Sequence, residues 1–95
     1  MRISDNLKKY LAQEVRKIEP TARVYLFGSR VYDHKKGGDI DILVLAERKL
    51  GFEELSVVRV GFWKKFGEQK LDIMSYSFDD RDPFKELIME HAVEI

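Results

Sequence analysis

The chain contains no cysteine, which excludes disulfides, thiolate nucleophiles and cysteine-based zinc sites and fits an intracellular protein. It has only two prolines, Pro20 and Pro83, and each stands where an element is expected to end or begin. It has no excess of either charge: 17 basic and 17 acidic residues cancel. A neutral chain has no surplus cations with which to displace counterions, so general nucleic-acid binding is disfavoured. The same neutrality favours association with itself or with a partner. No apolar run approaches the ~18 residues of a membrane span. The opening MRISDNLKKYLAQEV is amphipathic and charged, without the apolar stretch of a signal peptide. A cytoplasmic protein away from the membrane is expected.

What is present suits a folded chain. Hydrophobic residues make up 44% and charged residues 36% of 95, which predicts one domain spanning 1–95. One modest core leaves little room for a separate acceptor-binding domain, so a large acceptor implies a partner that completes the site.

Ser4 is a candidate cap for a first helix, with Leu7, Leu11, Val15 and Ile18 at helical spacing and Pro20 ending it. ARVYLF, from Ala22 to Phe27, reads as a strand. Gly28-Ser29 then turns the chain into a short helical segment over Arg30–Tyr32, followed by the polar loop DHKKGG. DIDILVL, from Asp39 to Leu45, reads as a strand covered on both faces. A second helix over Phe52–Phe66 carries one stripe of Phe52, Leu55, Val58, Phe62 and Phe66. A second stripe, Val57, Val60 and Trp63, lies about 120° round and is more than a small sandwich needs. Lys70 to Tyr76 is a third strand. Asp82 before Pro83 starts a last helix to about Val93, with Leu87, Ile88 and His91 facing inward. The order αβ(α)βαβα predicts an α/β fold, a small mixed sheet covered by helices.

Three aspartates on strands are the unusual feature. Asp39 and Asp41, two apart, share one face of a strand, their Cα atoms about 6.6 Å apart. Carboxylates this close repel, and a divalent cation between them removes the penalty. Asp72, inside KLDIMSY, sits where strands disfavour aspartate. If its strand neighbours the first, three carboxylates share a pocket that suits two ions ~3.5–4 Å apart. Asp72 would also be placed to accept a proton from an acceptor hydroxyl. Gly28-Ser29 upstream offers close backbone approach, free N–H groups and a hydroxyl to a phosphate.

Each feature alone has a plainer alternative. The Asp39–Asp41 pair could sit at a strand end in water. Asp72 could pair with Lys70 or an arginine. Gly28-Ser29 could be a structural turn, and Arg30 could pair with an acid rather than a phosphate. Lys35 and Lys36 could attract phosphates or simply be solvated. Other nucleotide and metal motifs are excluded. No Gly-Lys-Ser/Thr follows the glycines, so there is no P-loop. Ile42, Leu43 and Val44 stand where a calcium-binding loop needs oxygens or glycine. His34 and His91 have no metal spacing relative to the aspartates.

The ordered set resembles a family. FGSR, nine residues between Ser29 and Asp39, DIDILV and then LDI resemble the minimal nucleotidyltransferase family of the DNA polymerase β-like superfamily. The likeness spans Val24 to Tyr76. It implies a polymerase β palm-like fold and transfer of a nucleoside monophosphate, usually AMP from ATP, with pyrophosphate leaving. By the same likeness Gly28, Ser29 and Arg30 would bind the triphosphate. Asp39, Asp41 and Asp72 would hold two Mg²⁺ ions, and Asp72 would act as base. Small members resemble antitoxins paired with a helical HEPN-domain toxin or a helical substrate-binding protein, and some modify a tyrosine on the toxin. The alternative is a non-catalytic nucleotide-binding module that acts by holding its partner.

Overall fold

The structure, a computed structural model, describes residues 4–28, 40–67 and 70–95. Helix α1 covers Asp5–Ile18; the Leu7 N–H donates to the Ser4 hydroxyl at 3.2 Å, and Glu19 closes the helix. Strand β1 is Arg23–Phe27, β2 is Ile40–Ala46, and α2 is Phe52–Phe66. Strand β3 is Leu71–Ser77, α3 is Pro83–Met89, and β4 is Val93–Glu94. The strands form one mixed sheet in the order β3-β2-β1-β4. β2 pairs antiparallel with β1 and parallel with β3, and β1 pairs antiparallel with β4.

Alternation along the strands divides the sheet into two faces. Val24, Leu26, Ile40, Ile42, Val44, Leu71 and Ile73 turn one way, onto Leu11 and Val15 of α1 and Leu55, Val58 and Phe62 of α2. Tyr25, Leu43 and Leu45 turn the other way, onto Ile88 of α3. β2 is therefore apolar almost without break because both its faces are covered. The two larger helices meet through aromatics: Tyr10 stands edge-on to Phe66, ring centroids 5.4 Å apart. A side chain at Gly61 would collide with the Tyr10 hydroxyl, so α2 is glycine there.

The C-terminal end differs from the sequence reading. α3 stops at Met89 rather than near Val93, and Val93–Glu94 pairs with the outer edge of β1. That edge offers unpaired backbone groups, and the Ile95 N–H donates to the Val24 carbonyl at 2.9 Å. Leu87 and His91 do not face inward: Leu87 is 60% exposed, and His91 lies exposed past the helix end. Lys85 and Ile88, three apart, take the inward positions, because residues 87 and 88 lie ~100° apart on a helix. The Lys85 ammonium is satisfied there, donating to the carbonyls of Phe78 at 2.8 Å and Asp80 at 2.7 Å. Phe52, expected in the buried stripe, is the first residue of α2 and is exposed, one turn before the helix meets the sheet. The second stripe is at the surface: Val57, Val60 and Trp63 are all exposed.

The turn into α2 is held by one arginine. Arg48 donates to Glu19 at 2.7 Å and bidentately to Glu54 at 2.9 and 2.7 Å. Glu54 also accepts from the Gly51 N–H at 2.8 Å, the half of a capping box that glycine permits. The Arg48 hydrogen bond, and then the Gly51 N–H, hold the Glu54 carboxyl down at about 2. A depressed carboxyl stabilises the fold above its unfolded value, and that contribution fades as pH falls toward the folded value. Glu54→Gln keeps an acceptor for Gly51 but loses the charge. Its melting temperature is expected to lie modestly below wild type at pH 7 and to converge on it between pH 4 and 2. A gap independent of pH would show that the ion pair is not the cause.

Candidate functional site

The parallel register of β2 and β3 sets Asp41 directly beside Asp72. Adjacent strands lie ~4.8 Å apart, so both carboxylates leave the sheet on one face, side by side, near the start of their strands. On the other side of β2, Asp41 is the partner of Phe27, the last residue of β1. Gly28 follows at once, with φ +76, and a Cβ there would overlap Oδ2 of Asp41 and lie 3.2 Å from its Cγ. Glycine is therefore required twice, by its backbone angle and by the carboxylate against it. Three elements distant in sequence thus converge at one end of the sheet.

These groups open onto a cleft of about 330 Å³ lined by Phe27, Asp41, Arg59, Asp72, Ile73, Met74 and Phe84. Its size is at the small end of ligand sites. Apolar side chains from β1, β3 and α3 make its walls, and among the described residues two carboxylates and one guanidinium bring charge to it. Asp72 is half exposed, and Lys70 lies 4.0 Å from it. So the pairing weighed as the plainer alternative for Asp72 does occur, but between two solvated side chains, where it contributes little. Farther along β3 on the same face, burial pushes the Tyr76 hydroxyl pKa up, with Asp82 and then Asp80 adding to the shift.

Of the residues singled out in the sequence, Gly28, Asp41 and Asp72 are brought together. Ser29, Arg30 and Asp39 lie outside the described residues, as do His34, Lys35, Lys36, Gly37, Gly38 and the short helix expected over 30–32. Among the described residues no three metal-ligating side chains stand in one cluster. Asp41 and Asp72 are hard oxygen donors, of the kind Mg²⁺ takes one or two at a time. Arg59, Phe27 and Phe84 were not legible as site residues. Arg59 lies on a helix, twelve residues before the strand whose carbonyl it reaches, and no local motif announces that contact.

No helix among the described residues is long and apolar enough to cross a membrane. The family model described as Nucleotidyltransferase domain matches residues 8–95. No curated protein matches the chain.

Proposed function

We propose that this chain, which belongs to the nucleotidyltransferase domain family, transfers AMP from ATP to a hydroxyl acceptor. Nucleotidyl transfer is the chemistry of the family, and its domains typically work with a nucleotide and a divalent metal. The observation that carries the finer reading is the in-register pair Asp41–Asp72 with Gly28 against it.

In this reading Gly28 and Ser29 receive the triphosphate, their N–H groups meeting its oxygens as the glycine allows, and Arg30 adds a cation. Asp39, Asp41 and Asp72 would hold Mg²⁺, two ions in all. Once bound, these ions supply neutralisation of the charge on the attacking and leaving oxygens. Asp72 accepts the proton of the acceptor hydroxyl. The acceptor oxygen bonds to the α-phosphorus as the bond to pyrophosphate breaks. The apolar walls Phe27, Met74 and Phe84 suit an aromatic hydroxyl, such as a tyrosine of a helical HEPN-type toxin that this chain would restrain as antitoxin.

Label from α-labelled ATP should pass to protein when the chain and its genomic neighbour's product are incubated with Mg²⁺. γ-Labelled ATP should give none, and chelator should stop the transfer. ATP binding of equal affinity with Mg²⁺ and with chelator would count against the metal-bridged site. The partner would dock on the exposed stripe of α2. Trp63→Glu is then expected to prevent capture of the helical partner, or to shift a self-associated species toward monomer in sedimentation, while Mg²⁺–ATP binding persists. Unchanged association would move the interface elsewhere, with α1 the next surface to test.

A further inference from the structure

The site has a direction that the proposed reaction leaves unused. Across one end of the sheet stand, in order, Gly28 after β1, Asp41 on β2 and Asp72 on β3. Beyond them lies the outer edge of β3, which no strand follows among the described residues. Arg59 occupies that edge. The Ile40 N–H bonds to the Lys70 carbonyl. Successive carbonyls of a strand point to opposite sides, so the Leu71 carbonyl points outward. Arg59 Nε donates to this outward carbonyl at 3.3 Å, and the same side chain lines the cleft beside Asp72. One hydrogen bond thus holds the guanidinium at this edge, while among the described residues Arg59 forms no ion pair with a carboxylate.

In a displacement at phosphorus the attacking and leaving oxygens lie in line. With pyrophosphate held toward Gly28, the acceptor enters from the Asp72 side, where Arg59 stands. We propose that Arg59 is a specificity residue for the acceptor, taking a carboxylate carried next to the hydroxyl that receives the nucleotide; this rests on the transferase reading above. A planar guanidinium already anchored through Nε presents its two terminal nitrogens as a fork that matches a carboxylate. Phe84 and Met74 on the same cleft fit the ring of an aromatic acceptor. The preferred acceptor is therefore a tyrosine in an acidic protein segment. A nucleic-acid terminus, whose phosphate could use the same fork, is the less favoured source because the chain has no net charge.

The test compares three probes as acceptors with α-labelled ATP and Mg²⁺: a tyrosine peptide flanked by glutamates, the same peptide flanked by glutamines, and a short oligonucleotide with a free 3′ hydroxyl. The glutamate peptide should be labelled with a KM about tenfold lower than the glutamine peptide, as for a charge-assisted hydrogen bond gained. Arg59→Gln should erase that preference, raising KM for the acidic peptide with KM for ATP unmoved, and Arg59→Lys should restore part of it. If Arg59→Gln fails to fold because the β3 edge is lost, Arg59→Lys carries the comparison, since it keeps the charge and loses the fork. Equal use of both peptides, preference for the oligonucleotide, or labelling of no probe would overturn the assignment. Retained Mg²⁺-dependent ATP binding in those cases would leave the nucleotide reading standing, and its loss would remove both.

Discussion

Asp41→Asn combined with Asp72→Asn is expected to abolish label transfer, by about 10³-fold or more, the scale seen when a preorganised charge is removed from a reacting centre. The fold should survive. The two carboxylates are direct neighbours across β2 and β3, and like charges in that relation destabilise a sheet by up to ~1 kcal/mol. Asparagine removes the repulsion and keeps the shape and an accepting oxygen at each position, so the metal-free variant should melt close to wild type. Wild type should gain stability from Mg²⁺ with ATP by mass action, and the variant should not. Thermal melts in chelator and in Mg²⁺–ATP separate the two expectations. A fall of more than about 5 °C in chelator, roughly 1 kcal/mol for a domain this size, would mean that the pair is structural and held by a cation. That outcome would revive the plainer reading of the aspartates.

Gly28→Ala should be the most damaging alanine substitution among the described glycines. The residue has φ +76, a region that costs other residues ~1–3 kcal/mol. The new Cβ also lands on the Asp41 carboxylate, which has to move away from it. A loss of about 5–15 °C in melting temperature is expected, with Mg²⁺–ATP binding lost as Asp41 is pushed off its position. The two causes can be divided by a double-mutant cycle. In an Asp41→Ala background the collision disappears and only the backbone strain remains, so Gly28→Ala should cost less there. An equal cost in both backgrounds would show that the carboxylate does not press on Gly28.

These expectations join features read from the sequence to features that only the fold supplied. Apolar periodicity gave α2 its observed limits, Phe52–Phe66, because helix spacing is a local signal. Ser4 and Asp82 cap their helices for equally local reasons, a side-chain oxygen within reach of a nearby N–H. Asp41 and Asp72 fall on the strands expected of them, because apolar runs bounded by turn residues are local signals too. Residues 29–39, where much of the motif lies, are outside the described structure.

Local signals could not say which strands are neighbours. The parallel pairing that sets Asp41 against Asp72 joins segments thirty-one residues apart, and register comes from packing both onto the same helices. Competition between elements decided the C-terminal end: edge pairing with β1 took Val93–Glu94 from the expected helix. The shortened helix then left His91 past its end, while helical phase turned Leu87 outward and Lys85 inward to bond turn carbonyls. Arg59 belongs to the same class. Its sequence neighbours describe only a helical position, and its place at the cleft follows from how α2 packs beside β3. The sequence by itself determined which residue types and helices this protein has. The tertiary structure decided which of the described carboxylates meet and what walls them in, because contacts between segments far apart in the chain depend on the packing of the whole sheet.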